Sequence, residues 1–284
     1  MTITLDAFAK VNRHLCILGK RDDGAHELDT IFQTIDLTDR LTLSEAETLT
    51  LSVDDPRLTS GEDNLVLRAA RALKAAAGVK AGAAFRLEKR IPWGAGLGGG
   101  SADAAATLLG LSALWSLPAG PESLQPVAAA IGADVAFFLH GGRARGTGRG
   151  EWIEPLPDVP DQWLVLLFPP FGLMTRDVYQ ALGAPPLGQR SVSNIGEPDQ
   201  NDLEVSAERL RPELRALREA LLSAGAVTAR LSGSGSTVFG LFRSEGEARQ
   251  SASLLESRTG AQAKVVRTVS RAEFQRRALP HRGG

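Results

Sequence analysis

The chain has 284 residues, 43% of them hydrophobic, enough to bury a sizeable core in two domains of ordinary size. Its 32 basic and 33 acidic residues leave a formal charge of −1 and are scattered, which excludes an electrostatic footprint for nucleic acid or an anionic membrane. A single cysteine, Cys16, excludes an internal disulfide framework and a multi-thiolate zinc site.

The start, "MTITLDAFAKVN", has no basic segment followed by an apolar one. It reads as lacking a signal peptide, and the cytoplasm is the expected location. Residues 2–18 alternate apolar and polar, and the shorter runs 33–43 and 49–53 also read as strands. "NLVLRAARALKAAAG" (64–78) predicts a helix, with Asn64 as cap, apolar spacing of three and four, and Gly78 as stop. "AAFRLEKR" returns to strand spacing, after which Ala104, Leu108, Leu111 and Trp115 mark one face of a second helix. The uncharged run around that helix, 104–121, is broken by Gly110 and Pro118 and reads as a buried helix with its exit, not a membrane span. A third helix is predicted over 122–131.

"GGRARGTGRG" (141–150) reads as a flexible loop with Arg143, Arg145 and Arg149 solvated, the alternative being that they reach a phosphate, and the proline-rich 154–162 follows. A boundary is therefore expected near 150–160, dividing the chain into domains 1–155 and 156–284. The second half predicts a strand at "WLVLLF", a long amphipathic helix over about 202–224, the segment "ARLSGSGSTVFGLF", a helix near 247–258 and a last strand at "AKVVRTV". That order fits a split βαβ unit, and the tail "LPHRGG" reads as disordered.

The stretch "RIPWGAGLGGGSADAA" (90–105) carries the chemistry. Five glycines in the seven positions 94–100 stand directly before a helix, where backbone N–H groups can converge on a phosphate. Gly94, Gly96 and Gly99 satisfy G-x-G-x-x-G, but Pro92 and Trp93 separate them from the strand and no acidic residue lies at the dinucleotide-binding position. A P-loop fails because position 100 is glycine where lysine is required, and the chain has neither H-R-D nor D-F-G. Close helix–sheet packing is the alternative use of glycine, but it rarely needs so many. Ser101 can cap the helix or donate to a phosphate, and Asp103 in the first turn suggests a nearby magnesium ion.

"AKVN" (9–12), "PWGAGLGGGSADAA" (92–105) and "LSGSGSTVFG" (231–240) resemble, in order and spacing, the three motifs of the GHMP kinase superfamily. Within it, "KRDDGAHELDTIFQTIDLTD", "EDNLVLRAA", "IGADVAFFLHG" and "NDLE" resemble the branch that acts on a cytidine-diphosphate-linked methylerythritol. The resemblance implies an α+β fold of two domains: an N-terminal nucleotide-binding domain with a left-handed βαβ crossover, and a C-terminal ferredoxin-like domain. It also implies ATP as donor, magnesium, the acceptor's 2-hydroxyl as nucleophile, and a monomer or weak homodimer with no nucleic-acid or membrane partner.

Carried over residue by residue, the resemblance makes Lys10 and Asp134 catalytic. It assigns ATP to Pro92, Trp93, Gly94, Ala95, Gly96, Leu97, Gly98, Gly99, Gly100, Ser101, Ala102 and Asp103. It assigns the acceptor to Asn12, His26 and Tyr179, with Gly233, Ser234 and Gly235 lining the site; the metal ligands stay unassigned. Without the resemblance, Asp134 reads as a helix cap, Lys10 as a solvated charge, His26 as a surface residue in a polar loop, and 232–236 as a hairpin turn. Two departures stand out: Ala25 where the family has a stacking tyrosine, and Ala102 where it has a second serine that would contact phosphate or magnesium. Ala25 keeps another alcohol acceptor open, and a catalytically idle nucleotide-binding module is the alternative outside enzymes.

Overall fold

Two long antiparallel strands, β1 (Thr2–Lys20) and β2 (His26–Ala46), answer the alternating pattern of the N-terminal region and frame the molecule. The computed structural model describes residues 1–118, 120–188 and 200–280. His26 is the first residue of β2, so the polar loop expected around it ends one residue earlier. β2 carries β1 on one side. On the other it pairs with β5 (Arg143–Gly148) along its first half and with β4 (Gly82–Glu88) along its second. β3 (Leu49–Val53) lies parallel to β4 and reaches it through α1 (Leu65–Ala77), whose Asn64 cap accepts from the Val66 N–H. β6 (Trp152–Pro155) closes the six-stranded sheet.

The glycine segment opens α2 (Gly99–Leu114), which is buried on nearly every side, by the sheet, α1, α3 (Pro121–Ile131) and the short α4 (Phe137–His140). A helix with an apolar residue on each face has no solvent side to offer, which explains its uncharged sequence.

The chain enters a second sheet at β7 (Trp163–Phe168), followed by α5 (Thr175–Leu182), and "WLVLLF" is continuously apolar because both faces are covered. Leu164 and Leu166 meet Ala9, Val11, Ile35 and Leu37 of the first sheet, whereas Val165 and Leu167 pack toward the helices of the second half. The strands β8 (Thr228–Leu231), β9 (Val238–Phe242) and β10 (Gln262–Arg267) complete the antiparallel order β10-β7-β9-β8. With α8 (Glu245–Thr259) between β9 and β10 this is a ferredoxin-like arrangement.

Two expectations change, and one helix is added. The helix over 202–224 is two helices, α6 (Glu204–Leu210) and α7 (Glu213–Ser223), because Pro212 cannot continue α6 and disfavours helical geometry at Arg211. The loop over 141–150 is largely β5, and Arg145 is locked by Asp29 through a two-pronged ion pair at 3.0 and 2.5 Å. A last helix, α9 (Arg271–Ala278), returns to β1 and sets Phe274 against Phe8 with ring centroids 5.5 Å apart. Four residues of the tail expected to be disordered, 281–284, lie outside the described residues.

Candidate active site

Period-two geometry puts Lys10 and Asn12 on one face of β1, between two register shifts in its pairing with β2. Lys10 is buried, and its ammonium donates to Asn12 Oδ1 at 2.5 Å and to the Gly96 carbonyl at 2.9 Å. Asp134 sits in a short 3-10 turn, Ala133–Val135, and makes no side-chain cap, so the capping alternative does not hold. Its Oδ2 lies 3.6 Å from Lys10 Nζ. Burial pulls the Lys10 pKa below the usual lysine value, while the Asp134 charge opposes the fall.

Gly98, in left-handed geometry, caps α2, and the first intrahelical bond is Ala102 N–H to the Gly98 carbonyl. The N–H groups of Gly99, Gly100 and Ser101 therefore have no helical acceptor and stand at the positive end of the dipole, a geometry suited to an anion. The loop is also stitched from behind. Lys10 N–H donates to Leu97 O, Ser232 Oγ to Gly96 O, and Thr237 N–H to Ala95 O. Gly96 has φ +75°, and a Cβ there would lie 2.0 Å from the Ser232 carbonyl oxygen. Gly94, with φ +66°, has open space in that direction. Both uses of glycine thus coexist: close approach fixes Gly96, and the helix mouth uses bare backbone.

The turn after β8 is held by a segment that the sequence offered only as a resemblance. Asn201 Nδ2 donates at 2.8 Å to the carbonyls of both Leu231 and Gly233, and Glu204 accepts from the Leu231 N–H. Two groups fixed on one turn leave Gly233, Ser234 and Gly235 facing the loop of the first sheet, and Ser234 is bonded to Thr175 at 2.9 Å. The hairpin between β8 and β9 and the site lining are the same turn.

Lys10, Asn12, Asp134, Tyr179, the run from Pro92 to Ser101 and the turn 233–235 line one cavity of about 600 Å³. His26 lies at its edge and packs on Tyr179, with centroids 4.7 Å apart and planes tilted by 40°. Burial and the Lys20 charge lower the His26 pKa, so the neutral ring offers both a donor and an acceptor edge. Burial and the Asp134 charge push the Tyr179 phenol up.

Ala102 and Asp103 do not join this cavity. Ala102 turns toward Phe8, Phe138 and Phe274, so a serine there would meet aromatic rings and not a phosphate. Asp103 is buried, bonded to Lys89 Nζ at 2.7 Å, and Lys89 also bonds Asp39. Asp39 in turn accepts from the N–H groups of Arg90 and Ile91, so one triad ties β2, the entry to the loop and the first turn of α2. Burial raises the Asp103 pKa to about 7 against the pull of Lys89. Asp103 is committed to this brace, which removes it from the expected magnesium-side role. A lysine 14 positions away gave no sequence signal for the pairing.

Residues 64–142 match the family "GHMP kinases N terminal domain", and 184–257 match "GHMP kinases C terminal". A 4-diphosphocytidyl-2-C-methyl-D-erythritol kinase of Pelotomaculum thermopropionicum is 44% identical, over 95% of this chain and 99% of that one. The chain belongs to the GHMP kinase family. A kinase of the same name from Parvibaculum lavamentivorans is also 44% identical, over 90% of this GHMP kinase and 94% of the relative. A crystal structure of 4-(cytidine 5'-diphospho)-2C-methyl-D-erythritol kinase superposes with TM-score 0.77 at 38% identity, covering 94% of this chain and 99% of that one. A homoserine kinase of Cytophaga hutchinsonii, 20% identical with TM-score 0.73 and coverage of 95% on both sides, shares the fold. This GHMP kinase is therefore a phosphotransferase. Among its described residues no helix is long and apolar enough to cross a membrane, and no cluster of three or more His, Cys, Asp or Glu is placed to hold a metal.

Proposed function

We propose that this GHMP kinase transfers the γ-phosphoryl group of ATP to the 2-hydroxyl of 4-diphosphocytidyl-2-C-methyl-D-erythritol. The observation that carries the reading is the Lys10–Asp134 pair, with a phosphate-suited helix mouth on one side and the His26–Tyr179 rings on the other. The triphosphate lies against the N–H groups of Gly99, Gly100 and Ser101. A second groove of about 570 Å³ shares Pro92 and Trp93 with the first and runs on between Phe168 and Phe171, where the adenosine fits. The cytosine packs at Tyr179, with the His26 edge reading its polar groups.

Phosphoryl transfer asks the protein for positioning and charge stabilisation. Asp134 accepts the proton of the acceptor hydroxyl as its oxygen attacks phosphorus, and ADP departs. Lys10, fixed by Asn12 and the Gly96 carbonyl, places its charge beside both the carboxylate and the loop. With Asp103 engaged by Lys89, Ser101 is the α2 side chain that lines the cavity and is left to reach a nucleotide-borne magnesium, which supplies charge neutralisation.

The first sheet ends at Pro155 and the second begins at Trp163, and we place the domains at 1–155 and 156–284 accordingly. The single cysteine, buried on β1, accords with the reducing cytoplasm as location. A coupled ADP-release assay with the cytidine-diphosphate acceptor, beside mevalonate, homoserine and galactose, tests the reading. Turnover with a control alone defeats it in favour of the second reading that Ala25 suggests, a kinase of another alcohol. No turnover with any acceptor favours an idle nucleotide-binding module.

A further inference from the structure

Two substrates that both carry phosphates meet in this cavity, and among its described lining residues only Lys10 and Arg149 are cationic. Lys10 is spent: its ammonium is shared among Asn12, the Gly96 carbonyl and Asp134. Arg149 is not. Its main-chain N–H donates to Glu151 Oε2 at 2.6 Å and its Nε to Glu151 Oε1 at 3.2 Å, which aims the guanidinium and leaves Nη1 and Nη2 without a protein partner among the described residues. Arg149 is exposed, as a loop arginine is expected to be, yet it lines the cavity, unlike Arg145, which Asp29 holds.

Strand register says which substrate it faces. Arg149 follows Gly148, the partner of Leu28, two residues along β2 from His26. A Cβ built on the adjacent Gly150 would lie 3.7 to 3.9 Å from Phe32, Leu28 and Ala133, which seats the turn over the acceptor side of the cavity beside Asp134. The glycine loop meets β1 at Lys10, opposite Thr34, six residues further along β2 than Leu28, the partner of Gly148. Resting on the function proposed above, we propose that Arg149 binds the diphosphate of the acceptor, between the ring pair that holds the base and the carboxylate that takes the hydroxyl proton. A guanidinium fork suits this role because it offers two parallel donors to phosphate oxygens and never loses its charge.

The test uses the full chain as wild type, R149M and R149K. Expected for R149M is a rise of about 10- to 100-fold in KM for the acceptor, the loss of one charge-assisted phosphate contact, with kcat and the KM for ATP changed less than about threefold. Calorimetric titration with CDP and with cytidine should give a preference for CDP in the wild type that shrinks by the same factor in R149M. R149K should recover part of it, as a charge without the fork. An unchanged acceptor KM with an unchanged CDP preference overturns the assignment, and so does a fall in kcat at constant acceptor KM, which would put Arg149 on the transferring phosphoryl group. Should R149M fail to fold, R149K and R149Q carry the same comparison. A wild type that ignores the cytidine-diphosphate acceptor defeats the proposed function itself, and the assignment falls with it; measuring the wild type in parallel separates the two failures.

Discussion

Asp134 Oδ2 stands 3.6 Å from Lys10 Nζ, with the ammonium sealed inside the first sheet and the carboxylate at the cavity wall. One member of the pair is built into the fold and the other faces incoming substrate. Asp134→Asn keeps the shape and removes the proposed proton acceptor, so kcat should fall by about 10²- to 10⁴-fold while ATP affinity stays within about twofold. Steady-state kinetics paired with ATP titration checks both, and a variant that keeps most of its rate removes Asp134 from the role of base.

Lys10 titrates below the usual lysine range because burial disfavours its charged form. If the charged form is the active one, activity is lost as pH rises through that lowered value. The alkaline limb of kcat/KM should therefore lie below the ordinary 10.5. In Lys10→Arg the limb should move upward, since guanidinium keeps its charge. Identical limbs in the two proteins would assign the alkaline loss to another group.

The buried triad gives a stability signature of its own. The Asp103 carboxyl, raised by burial from 3.8 to about 7, keeps its proton in the folded protein where the unfolded chain releases it. Its contribution to stability is full below the unfolded value and is lost as pH rises through about 7. In Asp103→Asn, the decline in denaturation free energy between about pH 4 and 7 should be shallower than in the wild type. Lys89→Met leaves the buried Asp39 carboxylate without its cation, and should cost about 3–5 kcal/mol. Urea denaturation at pH 5 and 7.5 reads both effects; parallel slopes for wild type and Asp103→Asn would refute this proton.

Much of this was legible. Alternation located β1, the cap and stop residues bounded α1, and three short motifs named the family before any geometry was available. What escaped were relationships set by rotation and register. Asp103 points inward because α2 is buried on nearly all sides and must aim its first turn somewhere, and Arg145 meets Asp29 across strands 116 positions apart. The break at Pro212 is different, since the proline stood in the sequence and carries its own rule. Arg149 was visible as an arginine, but only the pairing of β5 with β2 brings it to the cavity.

The glycine loop separates close approach from backbone freedom. At Gly96, a methyl group would collide with the main-chain oxygen of Ser232 at 2.0 Å, and no side-chain rotation relieves that. Gly96→Ala should push the loop from the 232–235 turn, abolishing measurable activity and lowering Tm. Gly94→Ala meets no atom within 4 Å and bears only the left-handed backbone cost of about 1–2 kcal/mol. Thermal denaturation of the two variants side by side checks the contrast. Equal losses would mean that conformation, not the contact with Ser232, decides both positions.

Ala25 closes the turn between β1 and β2, where its carbonyl accepts from the Arg21 N–H, and it directly precedes the His26 that packs on Tyr179. In the proposed function, this half-buried alanine leaves one wall of the base site without an aromatic face. Ala25→Tyr adds an aromatic face beside an existing ring pair, and one such contact is worth about 0.5–1.5 kcal/mol beyond its buried area. The acceptor KM should fall by about 2- to 10-fold, with kcat and the KM for ATP unchanged. Tyr179→Ala should move the acceptor KM the opposite way, and the double variant should recover part of that loss if both rings serve one base. An Ala25→Tyr protein with unaltered acceptor KM would show that Tyr179 and His26 already complete the pocket.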